Sequence, residues 1–180
     1  MLVNNFGTSD LQRDRDFAST DPQFFLDTVT LNLRSAFQTS QAARHMAARG
    51  GGSIINISSA GRQAPDISQV GYGTAKAAIN YLTKLIALQE TRHHIRCNAV
   101  SPGMTATDSV QEKLSDAFRD QFLRHSPLER LGAPQEIAVV VVYFASGEAR
   151  YTTGQILSVS GGFGLGTPLY ADAVSQNRQR

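Results

Sequence analysis

Apolar residues recur along this chain at two spacings. Short, nearly continuous apolar runs occur at 1–4, 53–58, 95–100 and 154–159. Runs of this length, bounded by glycine and polar residues, predict buried strands of a parallel sheet covered on both faces. Longer stretches place apolar residues three and four apart, the spacing of a helix face. Phe25, Val29 and Ala36 share such a face with Asn32, and the pattern runs to about Arg49, where Gly50, Gly51 and Gly52 end it. Asp21 is placed to cap that helix, and Pro22 sits in its first turn, where no amide is needed. A second helix is predicted over 70–92, with Tyr72, Lys76, Ile79, Leu82 and Ile86 on one stripe. Two more are predicted over 116–125 and 134–146, the last around the run IAVVVVYFA.

The resulting order is β–α–β–α–β–α–α–β. Strands separated by helices of this length must run parallel, with helices on both faces of the sheet. The fold class is therefore α/β: part of a doubly wound sheet, read as one incomplete domain over 1–180. The charged stretch LQRDRDFAS reads as a solvated loop, with Arg13, Asp14, Arg15 and Asp16 facing water. The glycine- and aromatic-rich tail from Gly161 reads as a loop folded over the domain.

Composition narrows the function classes. At 41% hydrophobic and 18% charged the chain is an ordinary globular one, and a net charge of +2 gives no footprint for nucleic acid. No run reaches the ~18 apolar residues of a membrane span, and the N-terminus lacks a signal core, so the expected location is cytoplasmic. The single cysteine, Cys97, excludes an internal disulfide and lies in the apolar run IRCNAV as a buried thiol. His93 and His94 are adjacent and diverge around a helix, so they cannot chelate one metal well, and no metal site is expected.

The chemistry concentrates between Gly52 and Lys76. Ser59 lies just past a predicted strand, with Tyr72 thirteen residues on and Lys76 one helical turn beyond that. Tyrosine, with an unperturbed pKa of about 10, is a poor base near neutrality. A cation on the same helix face favours its phenolate and moves it towards a useful range. Such a group takes a proton from an alcohol or returns one to a carbonyl, and needs a redox cofactor to carry the hydride.

The set NNFG at 4–7, Asn32, NISS ending at Ser59, YGTAK at 72–76 and PGMTAT at 102–107 resembles the short-chain dehydrogenases/reductases over essentially the whole chain. The resemblance implies a Rossmann-type sheet, NAD or NADP as cofactor, and a homodimer or homotetramer packed through the long helices. It makes Tyr72 the general acid/base. Lys76 becomes its activator and a ligand of the nicotinamide ribose, Ser59 the anchor of the substrate oxygen, and Asn32 the holder of a relay water. It places Asn4 on the adenosine side of the cofactor. Pro102, Gly103, Thr105, Ala106 and Thr107 fall on its nicotinamide side. GGGSIINISS, PDISQVGY, HHIRCNAV, FRDQFLRHSPLERLG and GQILSVSGGFGLGTPLYAD further resemble the bacterial 7α-hydroxysteroid dehydrogenase branch, implying a steroid or bile-acid substrate.

Two features depart from the family pattern. No G-x-G-x-x-G phosphate turn is present, and the spacing of Gly161 to Gly166 does not supply one. The strand at 1–4 is also expected to stand as an exposed edge. These features carry the expectation of either a longer natural product or a weakened copy. A reductase for another carbonyl and a non-catalytic association module both stay open beside the steroid reading.

Overall fold

The computed structural model describes residues 1–60 and 65–177. Four parallel strands form one sheet in the order β1 (Leu2–Asn4), β2 (Gly52–Ile57), β3 (Ile95–Pro102) and β4 (Ile156–Val159). The register sets Leu2, Ile54 and Cys97 side by side, and Val3, Ile55 and Asn98 one step further on. Because side chains alternate across a strand, Leu2, Ile54, Ile95 and Cys97 face one layer, while Val3, Ile55, Ile57 and Val100 face the other. The expected two-sided α/β arrangement is what the chain adopts.

On the first face lie α1 (Pro22–Ser40), α2 (Ala43–Ala47) and α3 (Val70–Glu90). Ala43, Met46, Ile86 and Ala87 close the core there. On the second face α6 (Pro134–Ala145) covers the sheet with Ile137, Val140, Val141 and the fully buried Phe144. The shorter α4 (Asp108–Lys113), α5 (Asp116–Arg124) and α7 (Tyr170–Asn177) lie in the segments after β3 and β4.

Three sequence expectations change. The helix expected through Arg49 breaks after Ser40 and resumes as α2. Polar Thr39 and Ser40 form its end, and both bond the side chain of Asn4 rather than continuing an apolar stripe. Helices α4 and α7 occupy segments where the patterning predicts no element, since six to eight mostly polar residues give little periodic signal. Third, Asp14 does not face water: it is fully buried, and its carboxylate accepts the amides of Gly71 and Tyr72. The polar turn expected to include Gly61–Ala64 lies outside the described residues, as does the end of the tail at 178–180.

A polar seam runs under the sheet between β1, β2 and α3. Asn4 Nδ2 donates to Asn56 Oδ1 at 2.7 Å, and Asn56 Nδ2 donates to Thr83 Oγ1 at 2.9 Å. Asn56 and Thr83 are wholly buried, and satisfying them here fixes how the strand ends sit on α3.

Candidate active site

In an open parallel sheet, ligands collect at the carboxyl ends of the strands. Asn4, Ile57 and Pro102 close β1, β2 and β3 at that end, and the expected site residues surround them. Lys76 reaches back to it. Its Nζ donates to the carbonyl of Ile57 at 2.8 Å and lies 5.5 Å from the centroid of the Tyr72 ring. The side chain is 2% exposed, and burial lowers the ammonium from its ordinary value to about 8. A lysine so placed keeps its proton near neutrality and releases it more readily than a surface lysine.

Asn32 comes to the same point from α1. It is fully buried: Oδ1 accepts the Thr8 amide at 3.0 Å, and Nδ2 donates to the carbonyls of Thr8 and Thr28. Its side chain thus clamps the loop leaving β1. Gly7, in that loop, explains why the approach is possible. A Cβ there would stand 2.8 Å from Lys76 Nζ and 3.0 Å from Asn32 Oδ1, so a side chain would collide with both.

Ser59 is the second residue after β2 and is half-buried. The residue before it, Ser58, ties this strand end to the site helix by donating from Oγ to the Lys76 carbonyl at 3.2 Å. Lys76, Tyr72 and Asn32 are therefore gathered with the loop at Gly7, and Ser59 belongs to the same end of the sheet.

The residues expected at the cofactor divide into two groups. Asn4 spends its amide within the fold, donating to Ser40 and Asn56 and accepting from Thr39. The segment after β3 makes a second wall. Gly103 donates its amide to Val159, and a Cβ on it would lie 2.7 Å from Ser160 Cα, so β3 and β4 close up only around glycine. Ala106 and Thr105 pair with Gly132, and Thr107 caps α4 by accepting the Val110 amide. Gly161 and Gly162 sit against Leu128 and Pro127, and Phe163 stacks on Phe122 of α5 at 4.2 Å.

The residues present fit the nicotinamide side of a dinucleotide. Lys76 carries three N–H bonds and spends one on Ile57, leaving donors for a ribose hydroxyl. Sequence reasoning missed Asp14, whose partners lie 57 and 58 residues away across the fold. It also missed the steric demand at Gly7.

A buried lysine beside a half-buried tyrosine at the strand ends of a parallel, two-sided sheet defines a Rossmann-type oxidoreductase frame. The family profile described as enoyl-(acyl carrier protein) reductase matches residues 1–164. The chain belongs to the short-chain dehydrogenase/reductase family. It is 46% identical over 173 residues to a 7α-hydroxysteroid dehydrogenase of Clostridium sardiniense, covering 96% of this chain and 66% of that protein. Thus it spans just under two thirds of that relative's length. A solved 7α-hydroxysteroid dehydrogenase complexed with NADH and 7-oxo glycochenodeoxycholic acid superposes with a TM-score of 0.83 at 34% identity, over 90% of this chain and 62% of that one. A 3-oxoacyl-[acyl-carrier protein] reductase from Brucella melitensis also gives 0.83, at 31% identity, over 89% and 61%. No described helix is long and apolar enough to cross a membrane.

Proposed function

We propose that this chain carries the proton-transfer half of an NAD(P)-dependent dehydrogenase acting on a secondary alcohol, the 7α-hydroxyl of a steroid or bile acid. The observation that carries the reading is Lys76. It is a buried cation 5.5 Å from the Tyr72 ring with most of its donors unspent. In oxidation the Tyr72 phenolate takes the hydroxyl proton while the carbon–hydrogen bond of the alcohol breaks; in reduction Tyr72 returns the proton to the carbonyl oxygen. A nicotinamide cofactor, NAD or NADP, supplies the hydride acceptor when bound. Lys76 holds the phenolate by charge and the nicotinamide ribose by hydrogen bonds. Ser59 holds the substrate oxygen, and Asn32 keeps the loop at Gly7 closed over Lys76 and orders a relay water. Thr105, Ala106 and Thr107, with Pro102 and Gly103, line the nicotinamide side.

The steroid assignment is supported by likeness to 7α-hydroxysteroid dehydrogenases across nearly the whole chain. A second reading, a reductase for another carbonyl such as a 3-oxoacyl thioester, is favoured by the equal structural likeness to such an enzyme. The proton-transfer residues treat any secondary alcohol alike, so a substrate panel separates the two. Association through α1 and α3 belongs to the same proposal: Leu31 and Phe37 on α1 and Tyr81 and Leu88 on α3 are large apolar side chains open to solvent.

The test is formation of reduced nicotinamide from NAD or NADP with a 7α-hydroxy bile acid, its 7β epimer and a 3-hydroxyacyl thioester. Turnover of the 7α epimer, lost at least 10³-fold in Tyr72→Phe while the fold is kept, is the expected result. Turnover undiminished by Tyr72→Phe would remove the mechanism.

A further inference from the structure

Helix α3 carries Tyr72 in its first turn, and that turn is held by a segment outside the expected site. Four consecutive amides open the helix, and all four are taken by two residues. Gln69 N–H donates to the carbonyl of Asp14 at 3.1 Å and Val70 N–H to that of Arg15 at 3.2 Å. Gly71 and Tyr72 N–H donate to the two carboxylate oxygens of Asp14 at 2.8 and 2.9 Å. These are the donors a helix start leaves without internal partners.

We propose that Asp14 is the positioning residue of this site: through the first turn of α3 it sets where the Tyr72 ring stands beside Lys76. The inference deepens the proposed function and rests on Tyr72 being the acid/base. Capping alone does not need this residue. A buried serine or threonine caps a helix without the desolvation cost of a buried charge. A carboxylate offers one oxygen to each of two amides and so fixes the direction of both. One of those amides is that of Tyr72 itself, so any slip of the turn moves the tyrosine directly.

The anchor is built to exclude such a slip. Asp14 N–H donates to the carbonyl of Asp10 at 2.8 Å, closing a turn beneath it. Gly71 lets the carboxylate press against α1, since a Cβ there would lie 3.0 Å from Thr28 Cβ and 3.3 Å from Asp14 Oδ1. The carbonyl of that same Thr28 accepts from Asn32 Nδ2 at 2.9 Å. Asp14 therefore fixes the start of α3 against the same turn of α1 that presents Asn32. Displacement of a reacting group by about 1 Å can cost on the order of 10²-fold in rate, so an anchor of this kind acts on catalysis.

The experiment needs no cofactor. The chain is prepared with ¹³C-labelled tyrosine rings, and the Tyr72 signal is assigned by its loss in Tyr72→Phe. Asp14→Asn, which keeps one acceptor, and Asp14→Ala, which keeps none, are compared with the parent. The expected result is a displaced Tyr72 ring signal and faster amide exchange at 70–72, larger in Asp14→Ala. The signal of Tyr143, on α6 across the sheet from α3, should hold still. Where the parent turns over substrate, kcat should fall roughly 10- to 100-fold in Asp14→Asn with KM within about threefold. An unmoved Tyr72 signal in both folded variants would make Asp14 a helix cap and overturn the inference. Loss of all native signals in both would make it a folding residue and overturn the inference equally. An inactive parent with a displaced Tyr72 signal would remove the proposed function and leave the positioning role standing. Full kcat in Asp14→Asn, beside a dead Tyr72→Phe, would sink the positioning role alone.

Discussion

Burial acts in opposite directions on two groups under the sheet. It lowers Lys76 from 10.5 to about 8 and raises the Cys97 thiol from 9.0 to about 12, because in each case the neutral form is the one favoured away from water. The linkage signs follow. Between pH 8 and 10.5 the unfolded chain holds the Lys76 proton that the folded chain has released, so this group makes stability rise with pH. From pH 9.0 upward the folded chain keeps the Cys97 proton that the unfolded chain loses, so the thiol makes stability fall. From pH 8 to 9 Lys76 acts alone of the two, and above 9 they oppose each other. Cys97→Ala should therefore carry an offset of about 1 kcal/mol for the small cavity. Above about pH 9 its stability should lie on a more positive slope than the parent's, by at most about 1.4 kcal/mol per pH unit for one proton. Urea melts of both proteins at a series of pH values read this directly; parallel curves in the alkaline range would show that the buried thiol carries no such shift.

Elements in this fold are held at their ends by side chains that arrive from elsewhere, and α6 shows it as clearly as α3. Arg96 leaves β3 and donates to the carbonyls of Phe144 at 2.7 Å, Ser146 at 3.2 Å and Thr152 at 3.3 Å. A cation at the carboxyl end of a helix suits its dipole, and the planar guanidinium reaches several carbonyls at once. Arg96→Ala should cost roughly 2 kcal/mol in denaturant unfolding, and Arg96→Lys should recover less than half of that, because a point charge cannot span the three oxygens. Full recovery by lysine would show that charge alone matters. These end contacts also mark where the sequence stops being readable. The four strands, the longer helices between them, and Tyr72 and Lys76 on one face of α3 follow from spacings of two to four residues, which local patterning reports. Asp14 and Arg96 act on partners 57 and 48 residues away, and nothing near Asp14 in LQRDRDFAS separates a buried carboxylate from a solvated one. The break after Ser40 was hidden for the same reason, its cause being Asn4, 36 residues away.

Across the whole molecule the binding groups are unevenly distributed. In the proposed reading, Lys76, with unspent donors, and the wall from Pro102 to Thr107 at the strand ends are the contacts for a nicotinamide nucleotide. On the side that reading gives to the adenosine the fold offers less. Asn4 has committed its amide to Ser40, Asn56 and Thr39, and Gly161 and Gly162 serve the contact with Leu128 and Pro127. Among the described residues no glycine-rich turn opens a helix with free amides towards a pyrophosphate. If affinity follows these groups, the chain by itself recognises the nicotinamide nucleotide and little of what is attached to it. Reduced nicotinamide mononucleotide and NADH should then bind within about tenfold of each other, a difference below about 1.4 kcal/mol. NADPH should match NADH, since the 2′-phosphate lies at the far end of the cofactor from Lys76 and the wall after β3. Calorimetry on the three ligands, with nicotinamide fluorescence as a second readout, measures this, and the absence of tryptophan keeps the protein background low. NADH tighter than the mononucleotide by roughly 10²-fold or more would mean that this chain grips the adenosine diphosphate through residues other than those at the strand ends. Equal affinities would place the binding energy at Lys76 and the wall after β3, beside the tyrosine they serve.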